Sequence, residues 1–427
     1  MNNEVKTKNQ SENKEVSKLE MLKNSILSSN VPQVVMYVIS YALDRRSSDI
    51  HIEPLDTTVR VRFRVDGVLT EIVEYPNTLH SAVVSRVKIM SNLKIDETRV
   101  PQDGRTNVTT KENKEMDLRV STFPTVNGEK IVMRIQDRSR QIPHYKMLGI
   151  KGTALERIER AVDMPNGIIL TSGPTGSGKT TTLYSSLQKI NREGINILTI
   201  EDPVEIQMDG LSQSQVKPDI GYLFATGLRA ALRQDPDVIM VGEIRDHETI
   251  NVAIEAALTG HLVFSTIHTN SAVETLTRIA NMGVPNYLIA SSVDTIIAQR
   301  LVRKLHPKIK VPYTPTEKEA KAVKAALAKL SDVEKAHYPD LDFDNPKFFT
   351  YDPRYKENKA YYGRVGLYEV LQMTPLLKNA LLEGKNSLYL QETAIKEGLV
   401  SLEQAGIIAA MQGETTLKEV YRVAREA

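Results

Sequence analysis

The stretch Gly173-Pro174-Thr175-Gly176-Ser177-Gly178-Lys179-Thr180 fits the pattern G-x-x-x-x-G-K-[ST] in full. The apolar run Gly167 to Ser172 leads into it, and a helical pattern opens at Lys179. Strand, glycine-rich loop and helix in that order make a phosphate-binding loop. Glycines let successive backbone N–H groups curl around a β-phosphate, and the helix start adds a favourable dipole. The Lys179 ammonium reaches the β- and γ-phosphates, the Thr180 hydroxyl ligates Mg²⁺, and Thr181 completes the candidate nucleotide-binding set. A chance glycine-rich turn would not carry all three elements in register, so the stretch predicts binding of a nucleoside triphosphate.

Hydrolysis further requires a carboxylate on the γ-phosphate side to orient or deprotonate water. Two candidates end apolar strands: Glu243 follows Asp237 to Val241 through Gly242, and Glu201, with Asp202 beside it, ends Asn196 to Ile200. In an open parallel sheet the carboxyl ends of strands share an edge with the phosphate loop, so both acidic groups converge there. Which of the two orients water, and which joins Thr180 and Asp202 around Mg²⁺, is left open. Further patterns alternate: a helix near Leu228 to Arg233, another from His247, and a strand from Leu262 to Thr266. Strands alternating with helices predict an α/β domain with a mainly parallel sheet.

Upstream, Thr58 to Val65 alternates apolar residues with arginine, the pattern of a half-buried strand, and Asp66-Gly67 marks a hairpin. Met116 to Phe123 alternates again and Glu129 to Ile135 returns after Asn127-Gly128. A two-residue loop at Asn127-Gly128 would set Arg134 opposite Ser121 and Arg119 opposite Gln136, making Arg119 and Arg134 diagonal neighbours on one face. Two like charges so placed call for a nearby anion, or else lie on a solvated face. The expected organisation is a polar, disordered tail over 1–29, a small α/β domain over 30–137 and a linker over 138–152, which carries Pro143 and Gly149. The phosphate-loop domain then takes 153–427, with an insertion at 304–362 and a helical part at 364–427.

Composition excludes several classes. Lys+Arg 55 against Asp+Glu 53 leaves +2, so no global basic field argues for nucleic acid. Cysteine is absent, which rules out disulfides, thiol catalysis and thiolate metal sites and fits a reducing compartment. No run approaches the ~18–20 apolar residues of a transmembrane helix, and the N-terminus lacks the apolar core of a signal peptide. The expected location is cytoplasmic, with any membrane association made through partners.

Several motifs together resemble one family, the ATPases of type II secretion and type IV pilus assembly. The phosphate loop continues as GPTGSGKTTTLY; residues 196–205 read NILTIEDPVE, 232–246 read LRQDPDVIMVGEIRD and 260–270 read GHLVFSTIHTN, while 48–54 and 64–69 read SDIHIEP and RVDGVL. The resemblance implies a hexamer of two-domain subunits, a PAS-like α/β domain joined to a RecA-like ATPase domain, using ATP with Mg²⁺ and working on an inner-membrane platform protein. It implies that Arg119 and Arg134, in the positions LRVS and MRI, reach the nucleotide phosphates. Arg229, Arg233, Arg245 and Arg278 match family arginines near the nucleotide, and His268 matches a sensor of the γ-phosphate. His261 reads as a hydrogen-bonded residue at a strand end. Gly242 stands where many related ATPases carry a metal-binding Asp, which throws more weight on Thr180 and one of the glutamates.

The chain departs from the family after Ala298-Gln-Arg-Leu-Val-Arg303. Assembly-type members usually carry two CxxC pairs that bind zinc there; here those positions read His306 to Ile309 and Tyr351 to Tyr355, so no zinc is expected. Thr316 to Glu319 reads as a capping box opening an Ala-rich helix. The rings of Tyr338, Phe343, Phe348, Phe349, Tyr351, Tyr355, Tyr361, Tyr362 and Tyr368 are expected to form an aromatic minicore in place of the metal, each buried ring contributing on the order of 1.5–3 kcal/mol. The family's large N-terminal docking domain has no counterpart before residue 30. The leading expectation is a motor for pilus assembly or pseudopilus extension; a retraction motor and, from another class, a nucleic-acid translocase are the alternatives.

Overall fold

The computed structural model describes residues 18–109, 115–137 and 141–424. The chain divides into two compact units, Met1–Arg140 and Gln141–Ala427.

The first unit is a six-stranded sheet in the order Val68–Pro76, Thr58–Val65, Asp49–Pro54, Gly128–Asp137, Glu115–Thr125, Gln102–Thr109, with helices Val31–Asp44 and His80–Met90. The alternation in Thr58–Val65 works as expected: Val59, Val61 and Phe63 are fully buried, and Arg60, Arg62 and Arg64 take the other face. The Asp66-Gly67 loop has positive φ at both residues, which a right-twisted two-residue hairpin requires.

Three expectations are corrected here. Residues 18–27 are helical and Leu22 is fully buried in this unit's core, so the polar tail ends earlier than residue 29; residues 1–17 lie outside the described ones. The second hairpin turns at Val126-Asn127, pairing Thr125 with Gly128, so Arg119 lies directly opposite Arg134 and not diagonal to it. Gly128 is needed inside the strand, where a Cβ would meet the His80 ring at 3.3 Å. The linker is also shorter than 138–152. Ile142, Tyr145, Leu148 and Ile150 pack into the second unit's core, the Tyr145 hydroxyl donates to Ser186 Oγ at 2.8 Å, and Ser185 Oγ donates to the Pro143 carbonyl at 2.7 Å.

The second unit holds a seven-stranded sheet in the order Tyr361–Gln372, Val293–Leu305, Gly167–Ser172, Leu262–Ile267, Val238–Val241, Ile197–Glu201, Leu211–Gln215. Every pairing is parallel except the first, in which Val293–Leu305 and Tyr361–Gln372 form a long antiparallel ladder from Thr295↔Gln372 to Arg303↔Arg364. The expected insertion is therefore the end of a hairpin on the sheet's edge, and the part expected to be helical from 364 begins inside a strand. The central strands are buried on both faces, as a parallel sheet covered by helices demands.

The insertion does not build one aromatic minicore. Phe348, with Tyr338 and Phe343, packs against aliphatic residues of helices Glu317–Leu327, Leu402–Met411 and Leu417–Ala424, while Tyr361, with Phe349 and Tyr351, closes over Leu305 and Ile309. Tyr368 belongs to the sheet core, and Tyr355 and Tyr362 are 44% and 58% exposed. Rings that crowd together in sequence are parted in space by the pairing of Lys310–Tyr313 with Phe348–Tyr351. Charge adds two ties. Glu334 accepts from the Thr153 N–H and hydroxyl at 2.9 and 2.6 Å, capping helix Gly152–Val162, and Arg303 donates to Glu419 at 2.7 Å while lying 4.2 Å from the Tyr361 ring centre. The expected capping box at Thr316 and Glu319 is formed.

On the first unit's sheet, Glu53 takes Arg62 at 2.8 Å and Lys130 at 2.9 Å. Burial alone would raise this carboxyl, but the hydrogen bonds from Arg62 and Lys130 outweigh it and hold it at about 2. Its stabilising contribution is therefore present above its ordinary value of 4.5 and lost as pH falls towards 2. Glu53→Gln should lower the calorimetric melting temperature at pH 7, and the gap to wild type should narrow as the pH is taken below 4.5.

Candidate nucleotide site

The phosphate loop rests on a strand with no exposed side and is shaped by three glycines in positive φ: Gly173 at +144°, Gly176 at +79° and Gly178 at +91°. At Gly173 and Gly178 space is closed as well, since a Cβ would come within 2.6 Å of the Gln299 carbonyl and 2.8 Å of the Gln299 amide nitrogen. Pro174, Thr175 and Gly176 form the exposed crest, and Thr180 and Thr181 are half-buried in the first turn of helix Lys179–Ile190. Lys179 is 8% exposed and donates to the carbonyls of Gly173 at 2.7 Å and Pro174 at 3.1 Å. Burial lowers its ammonium, Glu243 raises it and Arg300 lowers it again, to about 8. It is thus a cation held beside the loop in a low-dielectric setting, where a phosphate's charge is felt strongly.

The two candidate glutamates separate. Glu243 leaves strand Val238–Val241 through Gly242; its carboxylate takes Arg245 at 2.7 Å, stands 3.6 Å from His268 Nε2 and acts on the Lys179 ammonium. Burial lowers the His268 ring's basicity and Lys179 lowers it further, against the opposing pull of Glu243; the balance favours the neutral ring. Glu201 is 3% exposed and its carboxylate is taken up by the Tyr184 hydroxyl, by Thr199 Oγ1 at 2.6 Å and by Gln213 at 3.1 Å. Glu201 thus ties the helix after the loop to strands Ile197–Glu201 and Leu211–Gln215, and Glu243 is the acid beside the lysine. Asp202 is exposed.

Arg229 and Arg233 have partners outside the loop, and Arg278 is exposed. Arg229 pairs with Glu248 at 2.7 Å, Arg233 donates to the Arg229 carbonyl at 2.8 Å, and Arg278 is exposed on helix Ala272–Asn281; among the described residues none of the three has a hydrogen bond to the phosphate loop. In the first unit, one cross-strand row carries Arg105, Arg119, Arg134, Asp49 and Arg64. The 6%-exposed Asp49 accepts from Arg134 Nε at 3.1 Å and lies 3.4 Å from Arg64, so the anion that like-charged neighbours call for is supplied within the sheet by a strand the hairpin reading had not paired with them. His261 is hydrogen-bonded at the strand end as expected, its Nδ1 donating to the Ala256 carbonyl at 2.9 Å.

Two residues at the site were missed. Val293–Leu305 runs parallel to the loop's strand as far as Ala298↔Ser172 and then overshoots it, which places Gln299 and Arg300 under the loop. Gln299 accepts from Thr182 Oγ1 at 2.8 Å and donates to the Tyr368 hydroxyl at 3.3 Å. Read as the flank of an insertion, these residues carry no motif; the signal available was a polar pair in an apolar strand following the alternation of an α/β sheet.

The donors suit Mg²⁺ carried by a nucleotide. Thr180 offers a hard oxygen ligand, and the buried hydroxyls of Thr171, Ser172 and Ser177 have no hydrogen-bond partner. Among the described residues no group of three or more His, Asp and Glu is set to hold a metal unaided, so phosphate oxygens would complete the shell.

The chain is similar to several known proteins. Type II secretion system protein E of Xanthomonas campestris pv. campestris is 43% identical over 411 residues, 96% of this chain and 70% of that protein. The type IV pilus assembly ATPase PilB of Pseudomonas aeruginosa is 46% identical over 396 residues, 92% of this chain and 68% of that protein. The crystal structure of the pilus retraction motor PilT with bound ADP superposes with a TM-score of 0.58 at 26% identity, covering 91% of this chain and 97% of that one. The profile described as "Type II/IV secretion system protein" matches residues 27–422, and with relatives of this identity it shows that the chain belongs to that family, on a RecA-like α/β fold.

Proposed function

We propose that this protein is an ATPase motor that drives type IV pilus assembly or type II secretion. The observation that carries the reading is the Glu243 carboxylate, set at the carboxyl end of the strand Val238–Val241, beside Lys179 and His268 and braced by Arg245. With ATP on the loop, backbone N–H groups and Lys179 hold the β- and γ-phosphates, and Glu243 orients water for in-line attack and takes its proton. His268, its Nε2 3.6 Å from Glu243, would sense loss of the terminal phosphate through that carboxylate. Mg²⁺, bound through Thr180 and the phosphates, would offset charge on the transferring group. Arg119 and Arg134 belong to this proposal as further charge for turnover.

Assembly is favoured over retraction because the relatives named for pilus assembly and secretion are 43–46% identical, against 26% for the retraction motor. A translocase on nucleic acid is disfavoured by the net charge of +2. The working form we propose is a homohexamer held at the inner membrane's cytoplasmic face by a platform protein; among the described residues no helix is long and apolar enough to cross a membrane.

Glu243→Gln should keep ATP binding and lower steady-state phosphate release by roughly 10²-fold or more, the scale of general-base catalysis; equal, negligible rates in both proteins would sink the motor reading. Lys179→Ala should weaken binding of a fluorescent ATP analogue by about tenfold or more, in line with loss of a buried charge-assisted contact. Arg134→Ala should leave ATP affinity within about threefold while cutting turnover by about tenfold or more, as for an arginine that acts in the transition state.

A further inference from the structure

We infer that Arg300 is a positioning residue that ties the phosphate loop to the segment after the histidine strand, so that the nucleotide's state at one is felt at the other. The inference rests on the ATP reading of the site. Arg300 is 5% exposed. Its guanidinium donates from Nη1 to the Gln299 carbonyl at 3.1 Å, and from Nη2 to the Asn270 carbonyl and side-chain oxygen, each at 3.1 Å. The Gln299 carbonyl, with Ser177 Oγ, closes space at Gly173, and Arg300 Nη1 itself would lie 3.3 Å from a Cβ there. One planar fork thus joins the strand packed under the phosphate loop to Asn270, two residues past His268.

The far end of the same segment is anchored by the same hairpin. Glu369, paired with Ala298 across it, is 3% exposed and accepts from the Ala272 N–H at 2.8 Å. The segment 268–272 therefore hangs between Arg300 and Glu369, with His268 3.6 Å from Glu243. A lysine keeps the charge but lacks the fork, so it cannot bridge both carbonyls.

The test uses the full chain with Arg300→Met, Arg300→Lys and Asn270→Ala. Each should lower kcat by about tenfold or more with KM for ATP changed less than about threefold, and Arg300→Met with Asn270→Ala together should be no worse than the more impaired single variant. Hydrogen exchange gives a readout free of turnover: amides of residues 269–272 should gain protection with a non-hydrolysable ATP analogue in wild type and lose that gain in Arg300→Met. Normal kcat in Asn270→Ala, additive losses, a KM effect without a kcat effect, or no nucleotide-linked protection in wild type would each overturn the inference. If Arg300→Met fails to fold, Asn270→Ala decides by the same two readouts. A wild type that binds the analogue but shows no Glu243-dependent hydrolysis would refute the ATPase reading, while the exchange data still judge Arg300.

Discussion

The second unit depends on a strand that has no solvent side. Gly167–Ser172 is buried throughout and paired on both edges, so the turn that follows it cannot shift, and three glycines with positive φ can hold a conformation that side chains would resist. The next strand completes the constraint by running past Ser172. Because Gln299 occupies the space below Gly173 and Gly178, the loop is shaped by the protein before any phosphate arrives, and binding need not order it.

The same overshoot explains how the edge hairpin takes part in the site. Its near strand supplies Gln299 and Arg300, its far strand supplies Glu369, and its tip carries the cysteine-free insertion. The insertion is held by ordinary means: two small apolar clusters, the Glu334 cap on helix Gly152–Val162, and the Arg303–Glu419 pair. The larger cluster reaches helices Leu402–Met411 and Leu417–Ala424 and Glu334 reaches helix Gly152–Val162, so several modest contacts fasten a segment that lacks thiolates.

Electrostatics sorts the acidic residues by their neighbours. Glu201 and Glu243 end adjacent parallel strands and look equivalent in sequence, yet one is enclosed by three neutral donors and the other faces Lys179, Arg245 and His268. The first unit repeats the point. Arg119 and Arg134 are tolerable as direct neighbours because Asp49 sits in the same cross-strand row.

Local chemistry was legible in the sequence. The phosphate loop, the strand Thr58–Val65, the Asp66-Gly67 hairpin and the Thr316 capping box are short-range patterns, each decided by sterics and hydrogen bonds within a few residues. What hid was set by pairing between distant segments. The second hairpin turns one residue before Asn127-Gly128, with Gly128 at φ +120° opening the returning strand, and residues 141–152, polar enough to read as a linker, dock through Ile142, Tyr145 and Ile150. Sequence by itself determined that the chain binds a nucleoside triphosphate on an α/β fold. Only tertiary structure decided which glutamate stands beside the lysine and that Arg300 lies beneath the loop, because a side chain's charge acts through the space it shares with others and not through its place in the chain.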